Sequence, residues 1–230
     1  WINIAALTQV IFTILLVQLF SHSSFAAAVA FSKTEVLQTA IFEALILGVV
    51  VTVQTGIAIA VGVFATVMLA FVKTNLSIAN IQQSLLSRQM AIGLAAGAFL
   101  GFCTVAYGAA MQAMTGGSLL NNAIYAAAIG VTIQAVCFGA YLYVARRTEF
   151  FASFVEWRKA GLAGVWASIC SICWFAAFLS HEVAPVRAVG QVELLFSVGF
   201  SVLYFKERVT RRELTAMALL ALSIIMVLLD

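Results

Sequence analysis

The sequence predicts an all-α, polytopic transmembrane helical bundle, and three observations predict it. Of 230 residues, 64% are hydrophobic and only 9% are charged, against about a quarter charged in an ordinary soluble domain. The apolar stretches are long and do not alternate, which favours helices over the short alternating strands of a membrane barrel. Pro185 is the single proline, so little in the chain interrupts a helix.

A hydrocarbon core of ~30 Å calls for about 20 apolar residues per helix. Eight segments meet this expectation: Asn3–Phe20, Phe25–Val50, Val53–Val72, Gln89–Gln112, Leu119–Ala145, Gly161–Ser180, Val183–Phe205 and Glu213–Leu229. An apolar run begins at Trp1 without a charged leader region or a small-residue cleavage site, so the first segment is expected to span rather than to be cleaved. The polar gaps at Lys73–Arg88 and Arg146–Lys159 are long enough for short surface helices. Phe150–Trp157 mixes Phe, Trp and Glu, as a segment lying at the interface would.

Sliding the chain against itself by 158 residues reveals an internal repeat. Glu35 falls on Glu193, Thr39 on Ser197, Phe42 on Phe200, Val51-Thr52 on Val209-Thr210 and Met68 on Met226. A glutamate within an apolar helix is rare, so the Glu35/Glu193 match is the informative one. The shift carries the first three helices onto the last three, a displacement of five helices. An odd shift reverses direction through the bilayer, so the repeat is expected to be inverted. Residues 1–72 then form the last three helices of a first repeat, 73–88 an inter-repeat loop, and 89–230 a second, five-helix repeat. The expected whole is a ten-helix, five-plus-five protein, of which eight helices are present. Two further helices, about 70 residues, are expected before Trp1. Ten basic residues lie in the gaps on one side: Lys73, Arg88, Arg146, Arg147, Arg158, Lys159, Lys206, Arg208, Arg211 and Arg212. The positive-inside rule assigns that side to the cytoplasm.

Ionisable groups inside spanning helices are costly and usually face a cavity or a partner. Ser32, Glu35, Thr39 and Glu43 share one helical face by their spacing. Gly190, Glu193, Ser197 and Ser201 form the matching face, with Arg187 one turn earlier. Glu35 and Glu193 are candidates for a proton or a substrate cation, or for structural pairs with Lys33 or Arg187. Arg187 and Lys33 suit a substrate carboxylate, or snorkel to the interface. Glu43 reads as a cavity or interfacial residue. Trp174 shares a face with Ser171, Phe178 and His181 and is a candidate cavity wall. His22 and His181 read as interfacial helix-end residues. Gly93, Gly97 and Gly101 form a small-xxx-small ridge, the signature of close helix approach. Cys103, Cys137, Cys170 and Cys173 sit inside apolar runs and read as small packing residues. No cofactor, metal or nucleic-acid partner is expected, and no soluble-enzyme motif appears: there is neither a phosphate-cradling loop nor a His-Glu-x-x-His nor a Gly-x-Ser-x-Gly.

The tail Gly190-Gln191-Val192-Glu193, Phe205-Lys206-Glu207-Arg208-Val209-Thr210 and Leu214 through Leu229 resembles the last two helices of EamA-type members of the drug/metabolite transporter superfamily. Phe31-Ser32-Lys33-Thr34-Glu35 through Val51-Thr52 is similar, but Val49 occupies the place of Glu207. The resemblance implies five-plus-five inverted repeats, a central cavity and alternating access, in a bacterial-type inner membrane. The expected function is thus secondary transport of a small metabolite. An amino acid or other zwitterion fits the two signs of charge, with protons as the coupling ion and the lipid bilayer as the surround. A membrane enzyme acting on lipid or isoprenoid substrates, and a non-transporting scaffold, are the rival expectations.

Overall fold

A computed structural model of the chain describes residues 1–22, 34–74, 88–155, 157–206 and 210–230. The described residues are mostly helical, 89% of them, and none is in a strand. The helices are α1 (Ile2–His22), α2 (Glu35–Leu47), α3 (Val53–Thr74), α4 (Arg88–Ala113), α5 (Leu119–Ala145), α6 (Arg147–Val155), α7 (Trp157–Ser180), α8 (Val183–Gly190), α9 (Val192–Phe205) and α10 (Arg211–Leu228). Among the described residues, five stretches are long and apolar enough to cross a membrane: Ile2–Leu19, Met90–Ala113, Leu119–Ala145, Ala160–Ser180 and Val183–Tyr204. The chain is that of an integral membrane protein. The other three expected spans correspond to α2, α3 and α10. Of Phe25–Val50, residues 25–33 lie outside the described residues, and Gly48, at φ 69°, ends α2 with the left-handed cap that glycine adopts without a Cβ penalty. The helix over Val53–Val72 is present as α3, which runs to Thr74, and α10 opens with Arg211, Arg212 and Glu213.

Val183–Phe205, expected as one helix, is two. At the junction the Gln191 N–H turns back to the Ala188 carbonyl and the Leu194 N–H to the Gln191 carbonyl. Both reach three residues instead of four, a local 3₁₀ tightening that divides α8 from α9. The T-x-x-E run at Thr210 starts α10 with a capping box: the Glu213 N–H donates to Thr210 Oγ1 at 3.2 Å, and the Thr210 N–H donates to Glu213 Oε2 at 2.7 Å. Thr52 makes the same kind of bond at the start of α3, where the Thr55 N–H donates to its Oγ1 at 3.1 Å.

The chain divides into two compact units. The first comprises Trp1–Ile11 and Phe102–His181. In it α5 packs on α7, and α6, none of whose residues is buried, links them. The second comprises Phe12–Gly101 and Glu182–Asp230. Its core runs along α3 and α10, with α2, α8 and α9 packed around them.

α3 and α10 run antiparallel: the start of α3 meets the end of α10 through Thr55 and Asp230, while Leu69 meets Ala216 at the other end. Their contacts are reciprocal. Gly62 lies so close to Ser223 that a Cβ would stand 2.5 Å from its Oγ, and Ala65 packs with Leu220. Leu69 clusters with Ala216, and Ala58 with Val227. Moving each partner by 158 residues, in opposite senses, turns the first contact into the second and the third into the fourth. Helix ends keep the same interval: His22 and Ser180, Leu47 and Phe205, and the starts at Val53 and Arg211.

Candidate functional site

The second unit holds a buried polar chain on otherwise apolar helices. Glu35, at the first turn of α2, is 2% exposed and forms an ion pair with Arg187 of α8, itself 17% exposed. Taking two charges out of water is expensive, and mutual attraction offsets this only where geometry and further hydrogen bonds support the pair. Around Glu35 that support comes from close helix approach. α4 presents Gly97 and Gly101 to α2: a Cβ at Gly101 would lie 3.1 Å from the Thr39 nitrogen and 3.2 Å from the Glu35 carbonyl oxygen. A Cβ at Gly97 would lie 3.4 Å from the Glu35 nitrogen. Gly93 is also buried. Thr39 is fully buried and donates its hydroxyl back to the Glu35 carbonyl at 2.8 Å.

Two turns along α2, Glu43 is fully buried. Its Oε1 accepts from the Val183 N–H at 2.6 Å and its Oε2 from the Ala184 N–H at 2.7 Å. These are the first two residues of α8, whose N-terminal N–H groups have no intrahelical acceptor. Glu43 takes two of these, Pro185 has none to offer, and Val186 begins the intrahelical ladder by donating to the Glu182 carbonyl. A carboxylate at a helix N-terminus also meets the positive end of the helix dipole. Glu35 and Glu43 thus clasp α2 to α8 at two points.

At the α8–α9 junction Gln191 is buried, and its Oε1 accepts the Thr66 hydroxyl of α3 at 2.7 Å. Its Nε2 faces the Gly62–Ser223 approach. Among the described residues, Gln191 Nε2, Glu35 Oε2 and Gln38 Oε1 are buried without a hydrogen-bond partner, and such atoms call for an explanation in a ligand, an ion or water.

The sequence-selected residues fall in unlike surroundings. Glu35, Thr39 and Arg187 come together. Glu193 lies on the exposed side of α9, as does Ser197, whose hydroxyl donates to the Glu193 carbonyl at 2.8 Å. Trp174 belongs to the first unit, half-buried, with its ring 5.8 Å from that of Phe178. Lys33 lies outside the described residues, as do Ser32 and Glu207. Sequence reasoning did not single out Gln191, Thr66 or Ser223, because one amide or hydroxyl in an apolar helix carries no local signal. Nor did it pair Glu43 with a helix start 140 residues away.

The first unit has its own polar cluster. Gln134 of α5 donates from Nε2 to Gln9 Oε1 at 2.8 Å and to the Tyr107 hydroxyl at 3.1 Å. Tyr107 fits there because Gly130 leaves no Cβ in its path, and its ring lies 4.3 Å from that of Phe175. An open cavity of about 300 Å³ in this unit is lined by Trp1, Asn3, Met114, Tyr125 and Ile129, among others, and none of the sequence-selected residues lines it. Among the described residues no group of three His, Cys, Asp or Glu side chains gathers to hold a metal.

No family model matches this sequence, and no curated protein matches it.

Proposed function

We propose that the chain is the transport-bearing bundle of a secondary transporter for a small metabolite, of the EamA type its tail resembles, in a bacterial-type inner membrane. The carrying observation is the buried Glu35–Arg187 ion pair, set on apolar helices beside an interrupted one. Intramembrane charges cost several kcal/mol and mark substrate or ion paths by default, and interrupted helices are where transporters hold their substrates. The reciprocal α3–α10 contacts and the recurring 158-residue interval support an inverted repeat. In this reading the five-plus-five fold alternates its access around the polar chain. Arg187 takes the carboxylate of an amino acid or other zwitterion, and Glu35, released from the pair, takes the coupling proton. A membrane enzyme is disfavoured because, among the described residues, the carboxylates do not converge with histidines on one reacting point.

Flux of labelled amino acids into proteoliposomes, with and without a pH gradient, tests the proposal. The expected result is uptake above empty vesicles that responds to the gradient, loss of uptake in Arg187→Gln and loss of the pH response in Glu35→Gln. Absence of flux across a broad metabolite panel would overturn transport. A pH response that survives both Glu35→Gln and Glu193→Gln would overturn the coupling assignment alone.

A further inference from the structure

The linker between α5 and α7 has a chemistry that the transport reading does not use. α6 lies between the ends of two membrane-spanning stretches, Leu119–Ala145 and Ala160–Ser180, so it sits where bilayer meets water. None of its residues is buried. Phe150 anchors it to α5, lying against Gly139 and edge-on to the Tyr143 ring at 5.5 Å. Phe151, Phe154 and Val155 remain exposed, as does Trp157, an aromatic and aliphatic surface with no protein over it.

Two of the basic residues here are held by aromatic rings. The Arg147 guanidinium lies 4.9 Å from the centre of the Tyr143 ring and donates to its hydroxyl at 3.0 Å. Arg158 lies over the Trp157 ring at 5.5 Å. Such stacking orients a cation without cancelling its charge. Arg146 differs, being paired with Glu149 at 2.9 Å. Among the described residues no carboxylate pairs with Arg147 or Arg158.

We infer that α6 and its flanks form a docking surface for the anionic phospholipid headgroups of the surrounding membrane. Arg147 and Arg158 each offer a guanidinium to a lipid phosphate, and Phe151, Phe154 and Trp157 enter the acyl boundary beside them. The charge complementarity names the occupant: exposed aromatic side chains suit the headgroup level, and two oriented guanidinium groups suit phosphate over a zwitterionic surface. This inference does not depend on what the bundle carries.

The test titrates the purified full chain in neutral detergent with phosphatidylglycerol, phosphatidylcholine or inorganic phosphate, reading bound lipid by native mass spectrometry and Tm in parallel. Phosphatidylglycerol is expected to bind and raise Tm. Its preference over phosphatidylcholine should fall about 30-fold in Arg147→Gln/Arg158→Gln, at about 1 kcal/mol per basic group near the surface. The charge-matched variant Arg211→Gln/Arg212→Gln should keep the preference, which removes loss of net charge as an explanation. Equal binding of both lipids, a preference intact in Arg147→Gln/Arg158→Gln, or the same Tm rise with inorganic phosphate would each overturn the proposal. Should that double variant misfold, Phe151→Ser/Phe154→Ser decides: the inference requires weaker lipid retention there, and unchanged retention refutes it.

Discussion

Replacing Glu43 isolates what one buried carboxylate contributes to the fold. In Glu43→Ala the N–H groups of Val183 and Ala184 lose their acceptors at 2.6 and 2.7 Å. Both residues are fully buried, so water cannot take the place of the carboxylate. A hydrogen bond to a charged group contributes about 1.5–3 kcal/mol, and the charge at the helix N-terminus adds roughly 0.3–1 kcal/mol. Against this stands the recovered cost of burying the carboxylate, several kcal/mol at most. The net loss is therefore about 2–4 kcal/mol. Glu43→Gln keeps one acceptor but turns its amide N–H₂ toward a second donor, so it should lose about 2 kcal/mol. Reversible unfolding in mixed detergent micelles, scored for both variants, measures these losses. The reasoning fails if Glu43→Ala unfolds within about 1 kcal/mol of the parent, or if Gln is worse tolerated than Ala.

Three more expectations follow from the same geometry. Glu35→Gln and Arg187→Gln should each cost about 3–5 kcal/mol by stranding the other charge, while the double variant costs clearly less than their sum; additive losses in a double-mutant cycle would remove the pair. Gly101→Ala should lose about 1–3 kcal/mol, because its new methyl meets α2 backbone at 3.1–3.2 Å, while Gly56→Ala meets nothing within 4 Å and should gain up to about 1 kcal/mol of helix propensity; Tm ranks the two. The hydroxyls of Thr52 and Thr55 hold the Asp230 carboxyl below its ordinary range. That stabilisation is present above the unfolded carboxyl value, about 3.9, and is lost as pH falls through the lower folded value. The Tm difference between the parent and Asp230→Asn should therefore be present at pH 7 and close below pH of about 4.

How far the sequence alone reached depends on the range of each interaction. Leu119–Ala145 is legible to the residue, because Ser118 caps its start and apolar residues fill the rest. The T-x-x-E at Thr210 was equally legible, yet the expected start at Glu213 passed over it. The spacing of Gly93, Gly97 and Gly101 says that something comes close, but only the folded chain says that the neighbour is the turn carrying Glu35. The break at Gln191 leaves no trace in hydropathy, since residues 183–204 stay apolar across it. The two glutamates aligned by the repeat look equivalent in one dimension. Arg187 separates them: it packs against Glu35, while Glu193 faces outward from the following helix. Pairings over 140 residues or more depend on how helices stack, and no local pattern encodes that.

The crossing of α3 and α10 has a mechanical consequence. Its midpoint lies where Gly62 and Ala65 meet Ser223 and Leu220, and the contacts on either side are small aliphatic pairs of similar make. Rolling one helix about that midpoint loosens the Ala58–Val227 end while tightening the Leu69–Ala216 end, and the opposite roll does the reverse. The Ala58–Val227 end also carries the Asp230 carboxylate on the hydroxyls of Thr52 and Thr55, so the roll that loosens that end must break those bonds as well, and the opposite roll is the easier one.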